Sequence, residues 1–389
     1  MQFVNLDHSA IIQSGGICAY SATTGAPIAN TLNRSSWAHL GEALLFAREQ
    51  LPAFPSSLSL APSQIASFPT LSEAIFLAWP IWADRHWGHF LIEEVSLLWL
   101  VLGPNRFPAG CTLILPGYAR SGVAPIRARL ERNYELCFTD ELTDHLLVKR
   151  LWSPVPSMFE GGPLHPSHFV NVVDVLRELD PSLQPPDHPD WLDASLPSRV
   201  YLSRSALPAS ARRVQAEQQL ETILSRAGWQ ILHPEKLSLK AQIRYLLNAH
   251  EVAGTLGSAL HTLMYLGRYD EIACKKRVTI LTSAALRCLE PTFRVQLEAQ
   301  GFSFRFVDCM QPFPFKAVLP LQPWDSQFRF SLDLDVLAEL VCSGAPSEPS
   351  AALLTDPAAE PESLILGFGD VPDAVKMINV NRLRLLSRG

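Results

Sequence analysis

The sequence predicts an α/β protein whose C-terminal half is built on a parallel sheet with helices on both faces. Three observations carry that prediction. From Arg199 to Val307 short apolar runs of strand length alternate with longer amphipathic stretches, the pattern of repeated strand–helix–strand units. The 389 residues exceed one core of ordinary size, so two domains are expected. Hydrophobic residues make up 48% of the chain and charged residues 18%, a balance that folds and argues against disorder.

The elements follow in order. The first 70 residues, rich in Ser, Ala and Pro, read as long loops over a few short strands. Ala74 to Trp79 reads as a strand. Phe90, Leu91, Val95, Leu98, Trp99 and Leu102 recur at helical spacing and predict a helix from Gly88 to Leu102. Thr112 to Pro116 is a buried strand, Val123 to Arg132 a helix and Leu146 to Trp152 a strand. Five prolines between Pro181 and Ser198 mark an interdomain linker.

Beyond the linker, strands are predicted at Val200 to Ser203, Trp229 to Leu232, Glu251 to Gly254, Arg277 to Leu281 and Phe302 to Val307. Helices are predicted at Ala211 to Ala227, Leu239 to Ala249, Ser258 to Leu266 and Leu286 to Gln300, with Gly228 capping the first. Ser343 to Ser363 reads as an extended linker and Leu364 to Leu386 as an apolar tail that packs back. The domains are then residues 1–190 and 199–342, with 343–389 as linker and tail.

Several functions are excluded by composition. A net charge of −6 gives no reason to expect a nucleic-acid binder, whose footprint is usually a basic face. The seven cysteines are scattered with no Cys-x-x-Cys, which fits small buried hydrophobes in a reducing compartment. The N-terminus lacks the basic-then-apolar order of a signal peptide. The most apolar window, Ala74 to Leu102, carries Pro80, Asp84, Arg85, Glu93 and Glu94, too many interruptions for a spanning helix. A cytoplasmic location is expected, with a surface patch as the one route to peripheral attachment at the inner membrane surface.

Three places carry chemistry. Glu251-Val252-Ala253-Gly254 runs through Leu256, Gly257 and Ser258 into a helix holding His261. Small residues there let a phosphate approach backbone N–H groups at a helix N-terminus. Ser203-Arg204 ends another strand of the same sheet, so Arg204 lies on the same rim. A guanidinium there can grip a diphosphate with two parallel hydrogen bonds, and Arg212, Arg213 and Lys240 add charge nearby in sequence. The third place is Asp84-Arg85-His86-Trp87-Gly88-His89-Phe90. His86 and His89 are three apart, yet Gly88 intervenes and no further ligand motif is visible, so no metal is expected. A histidine opening a helix can instead serve as acid–base or sugar-binding group.

These places also carry a resemblance. The run from Tyr201 to Leu266 resembles the core of glycosyltransferase family 61: Ser203-Arg204, Arg212-Arg213 with Glu217, Pro234-Glu235, Gln242, and Gly254 through His261 follow the family's order. Trp87 to Glu94, WGHFLIEE, is similar to its upstream element. Departures are Ala216 where the family usually has Asn, His86 near the upstream Asn, Ala241 for Glu, Leu256 for a frequent His and Thr262 for a frequent Asn.

The resemblance implies a GT-B-like fold of two Rossmann-like domains facing a cleft, with the nucleotide on the C-terminal one. It implies inverting transfer from a nucleoside-diphosphate sugar, a UDP-sugar being favoured, to a glycan or lipid-linked acceptor of a bacterial surface polysaccharide. No cofactor is implied, and the arginine-rich phosphate site favours a metal-independent mechanism. On this reading Arg204, Ser258 and His261 hold the diphosphate, Arg213 and Gly257 belong to the same donor-binding set, and Glu235 helps bind or orient the nucleoside or ribose. His89 is the acceptor-side base, with Glu93 and Asp84 as rivals. The competing reading is a glycosyltransferase-like scaffold that has lost catalysis. An epimerase would need a Gly-x-Gly-x-x-Gly fingerprint, which the sequence lacks.

Overall fold

The computed structural model describes residues 3–6, 9–14, 18–24, 26–28, 57–79, 87–103, 106–154, 168–183, 191–207, 213–267, 276–312, 329–334 and 336–337. The chain divides into two compact units. Unit 1 comprises Met1–Pro185 and His261–Arg268, and unit 2 comprises Pro186–Leu260 and Tyr269–Gly389. Asp84, Arg212 and the expected linker and tail from Ser343 to Leu386 lie outside the described residues.

Unit 1 holds a seven-stranded mixed sheet. Its strands are β1 (Phe3–Leu6), β2 (Ala10–Ile12), β3 (Ala19–Ser21), β4 (Thr70–Phe76), β5 (Thr112–Leu115), β6 (Glu135–Phe138) and β7 (Leu146–Pro154). The order is β3-β2-β7-β4-β5-β6, with β1 also paired to β7. β7, β4, β5 and β6 are mutually parallel, whereas β1 and β2 lie antiparallel along β7. Ala74, Phe76, Ile114, Val148 and Leu151 form its core, and Ile11, Cys18 and Tyr20 a smaller cluster.

The helix expected at Gly88 to Leu102 runs as Trp87–His89, a wider π turn at Phe90–Glu94, and Val95–Leu98. Leu91, Ile92, Val95, Leu97 and Leu98 bury its apolar side, and it packs near helix α1 (His168–Leu179). The helix expected at Val123 to Arg132 starts earlier, as short 3₁₀ and α turns from Gly117 to Leu130.

Unit 2 holds a five-stranded sheet in which every neighbouring pair is parallel. Its strands are β8 (Arg199–Leu202), β10 (Gln230–Leu232), β11 (Glu251–Thr255), β12 (Arg277–Thr282) and β13 (Ser303–Asp308), ordered β10-β8-β11-β12-β13. Helices α2 (Glu217–Arg226), α3 (Leu239–Asn248) and α4 (Glu290–Ala299) connect them. Val200, Val252, Val278, Ile280, Leu220, Ile243 and Leu246 are buried between sheet and helices.

Local signals explain the helix ends. Ser238 caps α3 by accepting the Ala241 N–H at 3.2 Å. Gly228 follows α2 at φ 82°, and the N–H groups of Gly228 and Trp229 close back on Ser225 O and Leu224 O at 3.1 and 2.9 Å. That double closure needs a left-handed residue, which glycine supplies without a Cβ penalty.

One helix differs from expectation. Residues Ala211 to Ala227 were predicted to be one helix, but Arg213–Gln215 is strand β9, paired in parallel with β15 (Arg329–Leu332), which itself pairs with β14 (Met310–Pro312). Helix α2 starts only after Ala216, whose φ of 66° breaks the helical path. Long-range pairing and one left-handed residue override the local helical pattern. The Pro-rich stretch after Pro181 also does more than link. Trp191 is buried, and the Asn248 amide at the end of α3 donates to Trp191 O at 2.7 Å and accepts the Asp193 N–H at 2.8 Å.

Candidate functional site

The topology of unit 2 singles out one place on its sheet. Within this sheet the strand after β8 in the chain is β10, on one side, after which the chain returns to β11 on the other. The strand order therefore reverses between β8 and β11, and ligands in open α/β sheets bind at the carboxyl ends of the strands at such a switch point. β8 ends at Ser203-Arg204 and β11 at Thr255-Leu256-Gly257-Ser258. The register pairs Gly254 with Leu202. A Cβ on Gly254 would stand 3.3 Å from both Leu202 Cβ and its carbonyl oxygen, so glycine permits the close approach of the two strands here.

Arg204 is half-buried. Its backbone N–H donates to Glu217 Oε1 at 2.9 Å, and the same oxygen accepts the Tyr201 hydroxyl at 3.0 Å. Burial lowers the proton affinity of the Arg204 guanidinium, while Glu217, Glu235 and Tyr201 act in the opposite direction. Burial likewise pushes the Glu217 carboxyl up, against the Arg204 N–H, the Tyr201 hydroxyl and the Arg204 charge. A desolvated cation thus sits within electrostatic reach of two carboxylates, one buried and one, Glu235, exposed.

Glu235 lies in a 3₁₀ turn, Pro234–Lys236, at the carboxyl end of β10. Gln242 of α3 brackets that turn, donating to Pro234 O at 2.9 Å and Leu237 O at 3.2 Å. Two separated parts of the sequence pattern, Pro234-Glu235 and Gln242, are therefore one local structure.

After β11, Leu256 N–H donates to Leu281 O at 2.8 Å and Leu260 N–H to Gly257 O at 3.1 Å. The segment Ser258–Leu266 is a 3₁₀ helix rather than an α-helix. With three residues per turn, Ser258 and His261 share one face. Gly257 is buried, Ser258 half-buried and His261 buried.

The upstream element belongs to unit 1. Trp87 Nε1 donates to Thr262 Oγ1 at 2.8 Å, joining the start of WGHFLIEE to a residue 175 positions on. Trp87 also stacks on Phe90 with centroids 5.3 Å apart. His89 is in the first helical turn and Glu93, buried, in the π turn. The structure describes His89 and Arg213 by backbone alone. Lys240 is exposed on α3.

Sequence reasoning missed two groups at this rim. Thr255, buried at the end of β11, has a hydroxyl with no hydrogen-bond partner among the described residues. Glu221 accepts from both Ser203 Oγ and Ser205 Oγ at 2.5 Å. Its signal was available, since Glu217 and Glu221 are four apart on a helix that follows Ser-Arg-Ser. Among the described residues no cluster of three or more His, Cys, Asp or Glu could hold a metal ion, and no helix is long and apolar enough to cross a membrane.

Residues 87–279 match the model of the family described as Glycosyltransferase 61. The match opens at Trp87 and ends within β12, so it takes in the upstream element and the whole β8/β11 rim. It supports that family and a glycosyltransferase activity with a sugar donor and an acceptor. No curated protein matches the chain.

Proposed function

We propose that this chain is an inverting glycosyltransferase that uses a nucleoside-diphosphate sugar, a UDP-sugar by preference, in surface polysaccharide synthesis. The observation that carries the reading is the parallel pairing of β8 and β11, which puts Ser203-Arg204 and Gly257-Ser258 after the carboxyl ends of neighbouring strands, inside the family match. Diphosphate recognition needs fixed positive charge beside backbone N–H groups and hydroxyls. Arg204 offers the charge, Ser258 and Thr255 offer hydroxyls, and Arg213 and His261 complete the set. Glu235 orients the nucleoside. A GT-B-like organisation goes with this reading, unit 2 holding the donor and unit 1 the acceptor.

In the reaction an acceptor hydroxyl attacks the anomeric carbon as the bond to the diphosphate oxygen breaks. His89 takes the hydroxyl proton, with Glu93 and Asp84 as the alternatives. Arg204 stabilises the charge that gathers on the departing diphosphate.

A thermal-shift screen of the full chain against UDP, GDP, CMP, dTDP and their sugar conjugates tests the proposal. A ligand at about 100 times its dissociation constant stabilises by about 2.7 kcal/mol, a shift of roughly 5–10 °C for domains of this size. Arg204→Ala is expected to remove both the shift and the transfer activity in protein that still folds, with a lowered melting temperature because the buried Glu217 loses its opposite charge. Absence of any shift in folded protein would favour the non-catalytic scaffold.

A further inference from the structure

Helix α2 presents two carboxylates one turn apart, and both reach back to the end of β8. Glu217 Oε1 accepts the Arg204 N–H at 2.9 Å. Glu221 Oε1 accepts the hydroxyls of Ser203 and Ser205 at 2.5 Å each, and the Ser205 N–H donates to Ser203 Oγ at 3.0 Å. Three consecutive residues at the switch point are thus held by two acidic side chains of a single helix. Glu217 is buried, with 2% of its surface exposed, and its Oε2 has no hydrogen-bond partner among the described residues.

A buried carboxylate is a costly fastener for a loop, because its desolvation must be offset by hydrogen bonds and an opposite charge. Here the opposite charge is Arg204, whose guanidinium is itself desolvated. Holding a long, flexible arginine ready in its binding geometry lowers the ordering cost when a ligand arrives.

We infer that Glu217 and Glu221 are positioning residues that clamp the Ser203-Arg204-Ser205 turn and aim Arg204 at the diphosphate. The inference rests on the reading that Arg204 grips a nucleoside diphosphate. Glu217 fixes the Arg204 backbone and balances its charge. Glu221 fixes the residues on either side. Neither carboxylate touches the ligand.

Calorimetric titration of UDP into the full chain tests the clamp. Glu217→Ala is expected to weaken UDP binding about tenfold, the scale of one hydrogen bond to a charged group. Tyr201→Phe removes the other donor to the same Glu217 oxygen, and is expected to lower the melting temperature while UDP binds as in the wild type. In an Arg204→Lys background, Glu217→Ala is expected to weaken binding much less than in the native background, because the two residues act as a unit. Should Glu217→Ala fail to fold, Glu217→Gln keeps an acceptor oxygen and carries the test, with a weakening of about threefold from loss of charge alone. Unaltered binding by the Glu217 variants, equal weakening by Tyr201→Phe, or full additivity with Arg204→Lys would overturn the clamp alone. A folded wild-type chain that binds none of UDP, GDP, CMP or dTDP would overturn the functional reading and the clamp with it.

Discussion

The sheets of the two units are built by different rules. In unit 2 five parallel strands are joined by helical connections, so each strand lies close in sequence to the helix that covers it. In unit 1 the parallel strands β7, β4, β5 and β6 are extended by β1–β3, drawn from the first 21 residues and laid along or beyond a strand that starts at Leu146. One sheet is assembled from successive neighbours and the other from distant partners. The candidate site lies at the carboxyl ends of strands of the successive kind.

Three substitutions sharpen the contrast. The largest effect is expected at Gly267 of unit 1, where an added Cβ would meet Cβ and Cδ1 of Phe169 at 2.7 Å. Gly267→Ala should destabilise the protein by about 1–3 kcal/mol through overpacking, read as a lower urea midpoint with the unit 2 rim untouched.

Lys276 provides the matching probe in unit 2. It is buried just before β12, and its ammonium donates to Leu247 O at 2.8 Å and Ala249 O at 2.6 Å, capping the carbonyl end of α3. Lys276→Met should cost about 1–2 kcal/mol at pH 7 by orphaning those carbonyls. Burial lowers the Lys276 pKa from 10.5 to about 8. Between these values the folded chain binds fewer protons than the unfolded one, so this lysine makes stability rise with pH there and contributes no slope below about pH 8. Urea midpoints should show the wild type gaining on Lys276→Met from pH 8 to 10.5, and a constant difference would contradict the assignment.

The smallest effect is at Ala216, the one described residue other than glycine with positive φ. A left-handed alanine is strained, so Ala216→Gly should stabilise by about 0.5–1 kcal/mol, with Ala216→Asn a smaller gain. A lower urea midpoint in Ala216→Gly would show that the backbone does not hold this conformation. The strain also gives a physical reason why asparagine, which tolerates this region, suits the corresponding place in the family pattern.

The same contrast governs what could be read from the residues. The strands and helices of the five-stranded sheet fall within one or two residues of expectation, apart from the opening turns of α2 and the 3₁₀ turns before α4, because apolar periodicity is a local signal. β9 was missed because its partner β15 lies more than a hundred residues away. A few short strands were expected in the first 70 residues, and β1–β3 are such strands. Their places could not be assigned because runs of three or four residues carry no periodicity. At the site, the strand-end residues Arg204, Gly257 and Ser258 were legible from the parallel topology. The Trp87–Thr262 bond was not, because it depends on how segments 175 residues apart pack, whereas Glu221 was overlooked although its spacing from Glu217 offered a signal.

The most direct test of the account is a structure of the full chain bound to UDP. The account predicts the diphosphate at the carboxyl ends of β8 and β11, with its oxygens within hydrogen-bond distance of Arg204 and Ser258. A diphosphate bound elsewhere, with no phosphate beside Arg204, would contradict it.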